Sequence, residues 1–190
     1  DEDLPGAEVL EIGCGVGRLV PALLERGARY SGCDIAPEMV GEAQRRVPDP
    51  RARFVESDGR GVPAVLKDRR YDLAFSFAVL VHCPRVLIES LTREAVELLK
   101  PGGRFRFQVL ADASDEDGIE PPPETVTQAH VQMEEMEAAA TPVDRSLIED
   151  RYYMGHRFRY AEARELFGSF GTGFRLHRLD AHHIYGEVIG

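Results

Sequence analysis

The chain has 190 residues, 43% hydrophobic and 29% charged, with a formal net charge of −10, the balance of one soluble globular domain spanning residues 1–190 rather than two cores. No apolar run reaches membrane-spanning length, and the opening Asp-Glu-Asp-Leu-Pro has neither the basic nor the apolar part of a signal peptide, so the expectation is a cytoplasmic protein without a membrane partner. Twelve acids and one base, Arg145, fall within residues 111–150, a charge that repels phosphate backbones and argues against nucleic acid as a partner.

From Glu8 onward, short apolar runs alternate with longer stretches of helical spacing. Val9 to Ile12 reads as a buried strand ended by Gly13, and Leu19 to Arg26 as the helix that follows. A second strand closes at Asp34, and Pro37 suits the first turn of a helix running to about Arg46. Arg53 to Glu56 is a third strand, and Tyr71 to Phe77 a fourth. Val86, Leu87, Leu91, Ala95 and Leu98 recur at helical spacing between Pro84 and Leu99, and Lys100-Pro101-Gly102-Gly103 reads as the terminator of that helix. Phe105 to Leu110 is a fifth strand. Residues 111–160 break this rhythm. They read as an acidic insertion, with an irregular Pro-rich loop over Asp112 to Pro123 and a helix over Glu124 to Ala140. A helix from about Tyr160 to Phe167 and strands near Phe174–Leu179 and His183–Val188 complete the pattern. Strands alternating with helices imply an α/β fold, doubly wound on a mostly parallel sheet covered on both faces.

Cys14, Cys33 and Cys83 form no CxxC pair and no zinc pattern, so reduced, buried thiols are expected. His156, His182 and His183 lack a ligand pattern, and no metal is expected.

The chemistry concentrates in Glu11-Ile12-Gly13-Cys14-Gly15-Val16-Gly17-Arg18. A glycine turn between strand and helix lets backbone approach a ligand where a side chain would collide. A common dinucleotide loop would read GxGxxG and need glycine at Arg18, which disfavours a nicotinamide oxidoreductase. Asp34, 21 residues after Gly13, stands where a carboxylate can accept from both ribose hydroxyls of a nucleoside, with helix capping as the alternative.

Val9 to Arg18 resembles the signature loop of class I S-adenosylmethionine-dependent methyltransferases. The likeness continues through Gly32-Cys33-Asp34-Ile35, Val55-Glu56-Ser57-Asp58, Tyr71 to Ser76 and Leu98 to Gly103, in the family's order. The resemblance implies a Rossmann-like, seven-stranded sheet of order 3-2-1-4-5-7-6 with its inserted strand antiparallel. It also implies S-adenosyl-L-methionine as cofactor. Gly13, Cys14, Gly15 and Gly17 would form the loop against it, and Glu11 would orient that loop or the methionine ammonium. Asp34 would hold the ribose and Ile35 cover the adenine. Asp58, with Ser57 and Gly59 beside it, would take the adenine amino group or else cap a short helix. Backbone at Phe75 and Ser76 would complete the methionine end.

An activated sulfonium needs little more than a nucleophile placed in line with its methyl group, and a base helps where the acceptor is a hydroxyl or protonated amine. His82 is the candidate base, with bracing of its loop as the alternative role. The chain lacks both the (D/N)PPY of adenine- and cytosine-N4-type DNA enzymes and the Pro-Cys of cytosine-C5 enzymes, so a small-molecule acceptor, methylated on oxygen or nitrogen, is expected. A protein or peptide acceptor and a catalytically silent cofactor-binding subunit remain as alternatives. Tyr152, Tyr153, Met154, His156 and Phe158 either line the acceptor site or pack in the core. Val131, Met133 and Met136 read as a helix face, and Asp115 to Asp117 as a solvated loop or a cation-attracting rim.

Overall fold

The computed structural model describes residues 4–118, 155–178 and 182–190. The strands are β1 (Glu8–Ile12), β2 (Arg29–Asp34), β3 (Ala52–Glu56), β4 (Tyr71–Ser76), β5 (Leu99–Ala111), β6 (Arg157–Phe158), β7 (Gly173–Arg178) and β8 (His183–Ile189). Among the described residues, four α-helices accompany them: α1 (Val20–Glu25), α2 (Pro37–Arg46), α3 (Arg85–Glu97) and α4 (Tyr160–Gly168). The sheet order is β3-β2-β1-β4-β5-β8-β7, with the two-residue β6 pairing beside β5. β1 to β5 run parallel, whereas β8 is antiparallel to both β5 and β7. With the short β6 set aside, this is the expected seven-stranded order, its antiparallel strand inserted between the fifth strand and the edge.

Alternation along the strands divides the core into two layers. Leu10 and Ile12 face α3 and α4 with Leu91, Phe105, Phe107 and Phe167. Val9 and Tyr30 face the other way, packing with Val20, Val40 and Phe54 beneath α1 and α2. Pro37 opens α2 where its missing N–H costs nothing, Glu38 lies in the first turn, and Arg45 and Arg46 in the last, each charge matched to the helix dipole. On α3, Ile88, Leu91 and Ala95 recur at helical spacing and are buried against the sheet.

One boundary differs from the sequence expectation. Lys100-Pro101-Gly102-Gly103 does not stand apart as a terminator but belongs to a long β5. Leu99 pairs with Tyr71, the register then shifts, and Arg104 pairs with Leu73. The extra residues form a bulge, where proline breaks no ladder bond and Gly102 adopts a φ of 79°. The helix expected over Glu124 to Ala140 and the face formed by Val131, Met133 and Met136 lie outside the described residues.

Parallel order puts the carboxyl ends of β1, β2, β3 and β4 on one rim. The loops leaving these ends carry nearly all the site residues singled out above.

Candidate active site

Left-handed glycines and hydrogen bonding together shape the rim. Gly13, Gly15 and Gly17 all take positive φ, at 82°, 51° and 73°. A side chain at Gly13 would place its Cβ 2.1 Å from Val79 Cγ2, so the turn after β1 fits directly beneath the loop after β4. At Gly15 the Cβ position is open space, leaving backbone exposed to the cleft. Gly17 differs from both: its Cβ position lies 3.2 Å from Phe54 and 3.4 Å from Ala43, so this glycine, expected to face the ligand, instead permits close packing of the core and lines neither cavity described below.

Asp34 ties the glycine turn to the end of β2. Its Oδ2 accepts the Gly15 N–H at 2.8 Å and its Oδ1 accepts the Ala36 N–H at 3.0 Å. The N-terminal position of α2 is Ala36, which makes no side-chain cap, so Asp34 braces the approach to the helix without capping it. Each oxygen keeps acceptor capacity beyond its one bond.

A cavity of about 420 Å³ opens beside this carboxylate, within the roughly 300–1,000 Å³ usual for small-ligand sites. Gly13, Asp34, Ile35, Ser57 and Gly59 line one side, and Val79, His82, Leu87 and Leu91 the other. Ile35 is 70% exposed, an apolar side chain left uncovered at the mouth. Ser57 Oγ accepts the Gly59 N–H at 3.1 Å and donates to the Gly61 carbonyl at 3.2 Å, closing the turn after β3 around itself. Asp58 is not part of this cavity. It borders a neighbouring groove with Arg60 and Lys67, and its Oδ1 accepts the Arg60 N–H at 2.9 Å.

A second cleft of about 300 Å³ shares Gly13 and continues past Cys14, Gly15, Arg18 and Phe77, with Glu11 at its base. Glu11 is buried and accepts a short hydrogen bond from the Tyr30 hydroxyl. Burial pushes its carboxyl up from 4.5 to about 7; the Tyr30 bond and the Arg18 charge oppose that rise, and Asp34 adds to it. Burial likewise holds the Cys14 and Cys33 thiols up at about 12, so both stay protonated and unreactive at neutral pH.

The side chains at the expected methionine end point away from the second cleft. Ser76 Oγ donates to the Ile12 carbonyl at 3.1 Å, linking β4 to β1, and Phe75 turns to the opposite face of the sheet. Phe77, one residue beyond the expected segment, is the side chain that reaches the cleft. His82 stands exposed in a 3₁₀ turn, Leu80–His82, on the same cavity as Asp34. Phe158 is fully buried in the core. His156 contacts its ring edge-on and lies 3.2 Å from Glu162 Oε1, so neither residue lines the cavity. Tyr152, Tyr153 and Met154 lie outside the described residues. Asp115 accepts the Tyr160 N–H at 2.6 Å and the Asp117 N–H at 3.2 Å, giving the acidic run a local structural use. Among the described residues no group of three or more His, Cys, Asp or Glu is placed to hold a metal ion.

Residues 9–103, half of the chain, match the family model of a methyltransferase domain. The chain belongs to the class I S-adenosylmethionine-dependent methyltransferases. Among curated relatives of this methyltransferase domain, the ubiquinone biosynthesis O-methyltransferase of Xanthomonas campestris pv. campestris is 35% identical over 113 residues, covering 56% of this chain and 44% of that protein. The sterol 24-C-methyltransferase ERG6B of Gibberella zeae is 30% identical over 123 residues, covering 61% and 31%. The chain thus spans less than half the length of these relatives. Magnesium protoporphyrin IX methyltransferase from Synechocystis PCC 6803, solved with bound SAH, superposes with a TM-score of 0.59 at 21% identity, over 98% of this chain and 75% of that one. An S-adenosylmethionine-dependent methyltransferase from Mesorhizobium loti gives 0.65 at 18% identity, over 100% and 94%.

Proposed function

We propose that this methyltransferase domain binds S-adenosyl-L-methionine across the two clefts and transfers its methyl group to oxygen or nitrogen of a small-molecule acceptor. The observation that carries the reading is the Asp34 carboxylate, bonded to Gly15 and facing a cavity whose far wall is apolar. A nucleoside fits that arrangement. Its ribose hydroxyls would meet the spare acceptor capacity of Asp34, and its base would meet Ile35 and the Ser57–Gly59 turn. The open Cβ position at Gly15 leaves room for ligand against backbone, and the amino-acid end would run on toward Glu11 in the second cleft.

The bound cofactor supplies a sulfonium-activated methyl group. The chain supplies the rest: Asp34 and the glycine turn orient the ligand, while Leu87 and Leu91 wall the cavity with apolar surface. His82 Nδ1 or Nε2 receives the acceptor's proton as the nucleophile is methylated. The small-molecule acceptor is supported by relatives named for ubiquinone and magnesium-protoporphyrin O-methylation.

Calorimetry tests the reading. S-adenosylmethionine and S-adenosylhomocysteine should bind while NAD does not, and Asp34→Ala should weaken S-adenosylhomocysteine by about 2–4 kcal/mol through loss of charged acceptor bonds. Unchanged affinity in that variant would remove Asp34 from the site. Release of S-adenosylhomocysteine in a screen of phenols, amines and carboxylates then identifies the acceptor class.

A further inference from the structure

The turn after β3 that walls the cavity is held from behind by a residue of another element. Glu94 projects from α3, and its Oε2 accepts the Val62 N–H at 2.8 Å across 32 residues of sequence. The same oxygen pairs with Lys67 Nζ at 3.0 Å. A Cβ at Gly61 would fall 2.7 Å from Glu94 Oε1, so the chain passes close over this carboxylate. On the cavity side, Gly59 and Gly61 both line the wall, and Ser57 bonds to each of them. Leu87, Leu91 and Glu94 follow at positions i, i+4 and i+7, along one stripe of α3. One helix therefore supplies apolar lining from its first half and the anchor of the facing turn from its second.

We propose that Glu94 is a positioning residue for base recognition: it sets the Ser57–Val62 turn at the distance from Ile35 and α3 that accepts an adenine ring, without itself touching the ligand. This rests on the S-adenosylmethionine reading above and deepens it by naming what fixes the purine subsite. Reach is the essential property. The carboxylate must extend far enough to meet the Val62 N–H, while its ion pair with the exposed Lys67 is worth little.

Two substitutions separate reach from charge. Glu94→Asp keeps the charge and withdraws the acceptor by one methylene; Glu94→Gln keeps the length and a carbonyl acceptor but loses the charge. Calorimetry would compare S-adenosylhomocysteine with S-inosylhomocysteine, in which a carbonyl replaces the 6-amino group, with thermal unfolding recorded in parallel. Glu94→Asp should weaken S-adenosylhomocysteine about five-fold, the scale of one backbone hydrogen bond, and narrow its preference over the inosyl analogue. Glu94→Gln should stay within about two-fold of wild type on both measures. The reverse ranking, or no change in either variant, overturns the proposal. So does an equal loss for both ligands with a lowered Tm, which marks Glu94 as a prop for the fold alone. A wild-type chain that binds neither ligand overturns the cofactor reading first, and this inference with it.

Discussion

Glu11 couples the site to pH. Its carboxyl rises to about 7 in the fold from an ordinary 4.5, chiefly through burial. A carboxyl raised in this way favours the folded state most below pH 4.5, where it is protonated in both states, and that stability is lost as pH climbs through about 7. Glu11→Gln keeps an acceptor for Tyr30 and has no charge to bury. Its unfolding free energy, read by urea denaturation, should therefore gain on wild type between pH 5 and pH 8, approaching a difference of about 3 kcal/mol at the upper end. A difference that stays flat across that range would mean the carboxylate is not held neutral. His82 is tested differently, through turnover. His82→Gln should leave S-adenosylhomocysteine affinity intact and lower kcat about 10²-fold, the low end of general-base effects. A variant that keeps its kcat leaves placement of the acceptor as the source of rate. The positions of Glu11, Gly13 and Gly15 at the turn after the first strand, and of Asp34 at the end of the second, were legible from local patterns, whereas the packing of Gly17 against Phe54 and Ala43 was not. The Tyr30 hydroxyl on Glu11 and the Glu94 anchor were not, since each joins two elements whose register no local pattern encodes.

Between elements, the decisive contact is that of the turn after β1 with the loop after β4. Gly13→Ala should impair folding and ligand binding together, because its Cβ meets Val79 at 2.1 Å and its φ is 82°. Adding Val79→Ala removes the nearest methyl and should restore part of the loss. The remainder reflects the backbone strain, which for a non-glycine residue is about 1–2 kcal/mol. Additive effects of the two substitutions, read by urea unfolding, would show that the loops do not bear on one another. Helix limits were largely legible: α2 begins at Pro37 and ends at Arg46 as read, because proline and the terminal charges mark both ends. β5 was read too short. Pro-Gly-Gly is the same signal at a helix terminus and at a bulge, and only pairing with β4 separates the two.

Across the molecule, alternating apolar strands and amphipathic helices sufficed for the fold class, whereas the strand order followed from resemblance, because alternation alone does not say which strand is neighbour to which. Among the described residues, the face of β5 and β8 opposite α3 and α4 carries polar side chains. Arg104 and Arg106 pair with Glu187 there, and Gln108 donates to the Tyr185 hydroxyl, so this surface meets water with its polar groups engaged. At the other end of the insertion, Arg178 is fully buried and donates to the carbonyls of Asp112 and Asp117, pinning the start of the acidic segment to the edge strand. No helix among the described residues is long and apolar enough to cross a membrane.

The bulge at the head of β5 also fixes where the chain leaves the sheet. Gly190 donates to the Gly103 carbonyl at 2.9 Å and accepts from Gly102 at 3.2 Å, at the rim opposite the carboxyl ends of β1, β2 and β4. A tether attached through Gly190 therefore anchors the molecule by its blind end and presents both clefts outward. For surface-based ligand capture this orientation is built in, and attachment at Gly190 leaves the cavity beside Asp34 open to the flow.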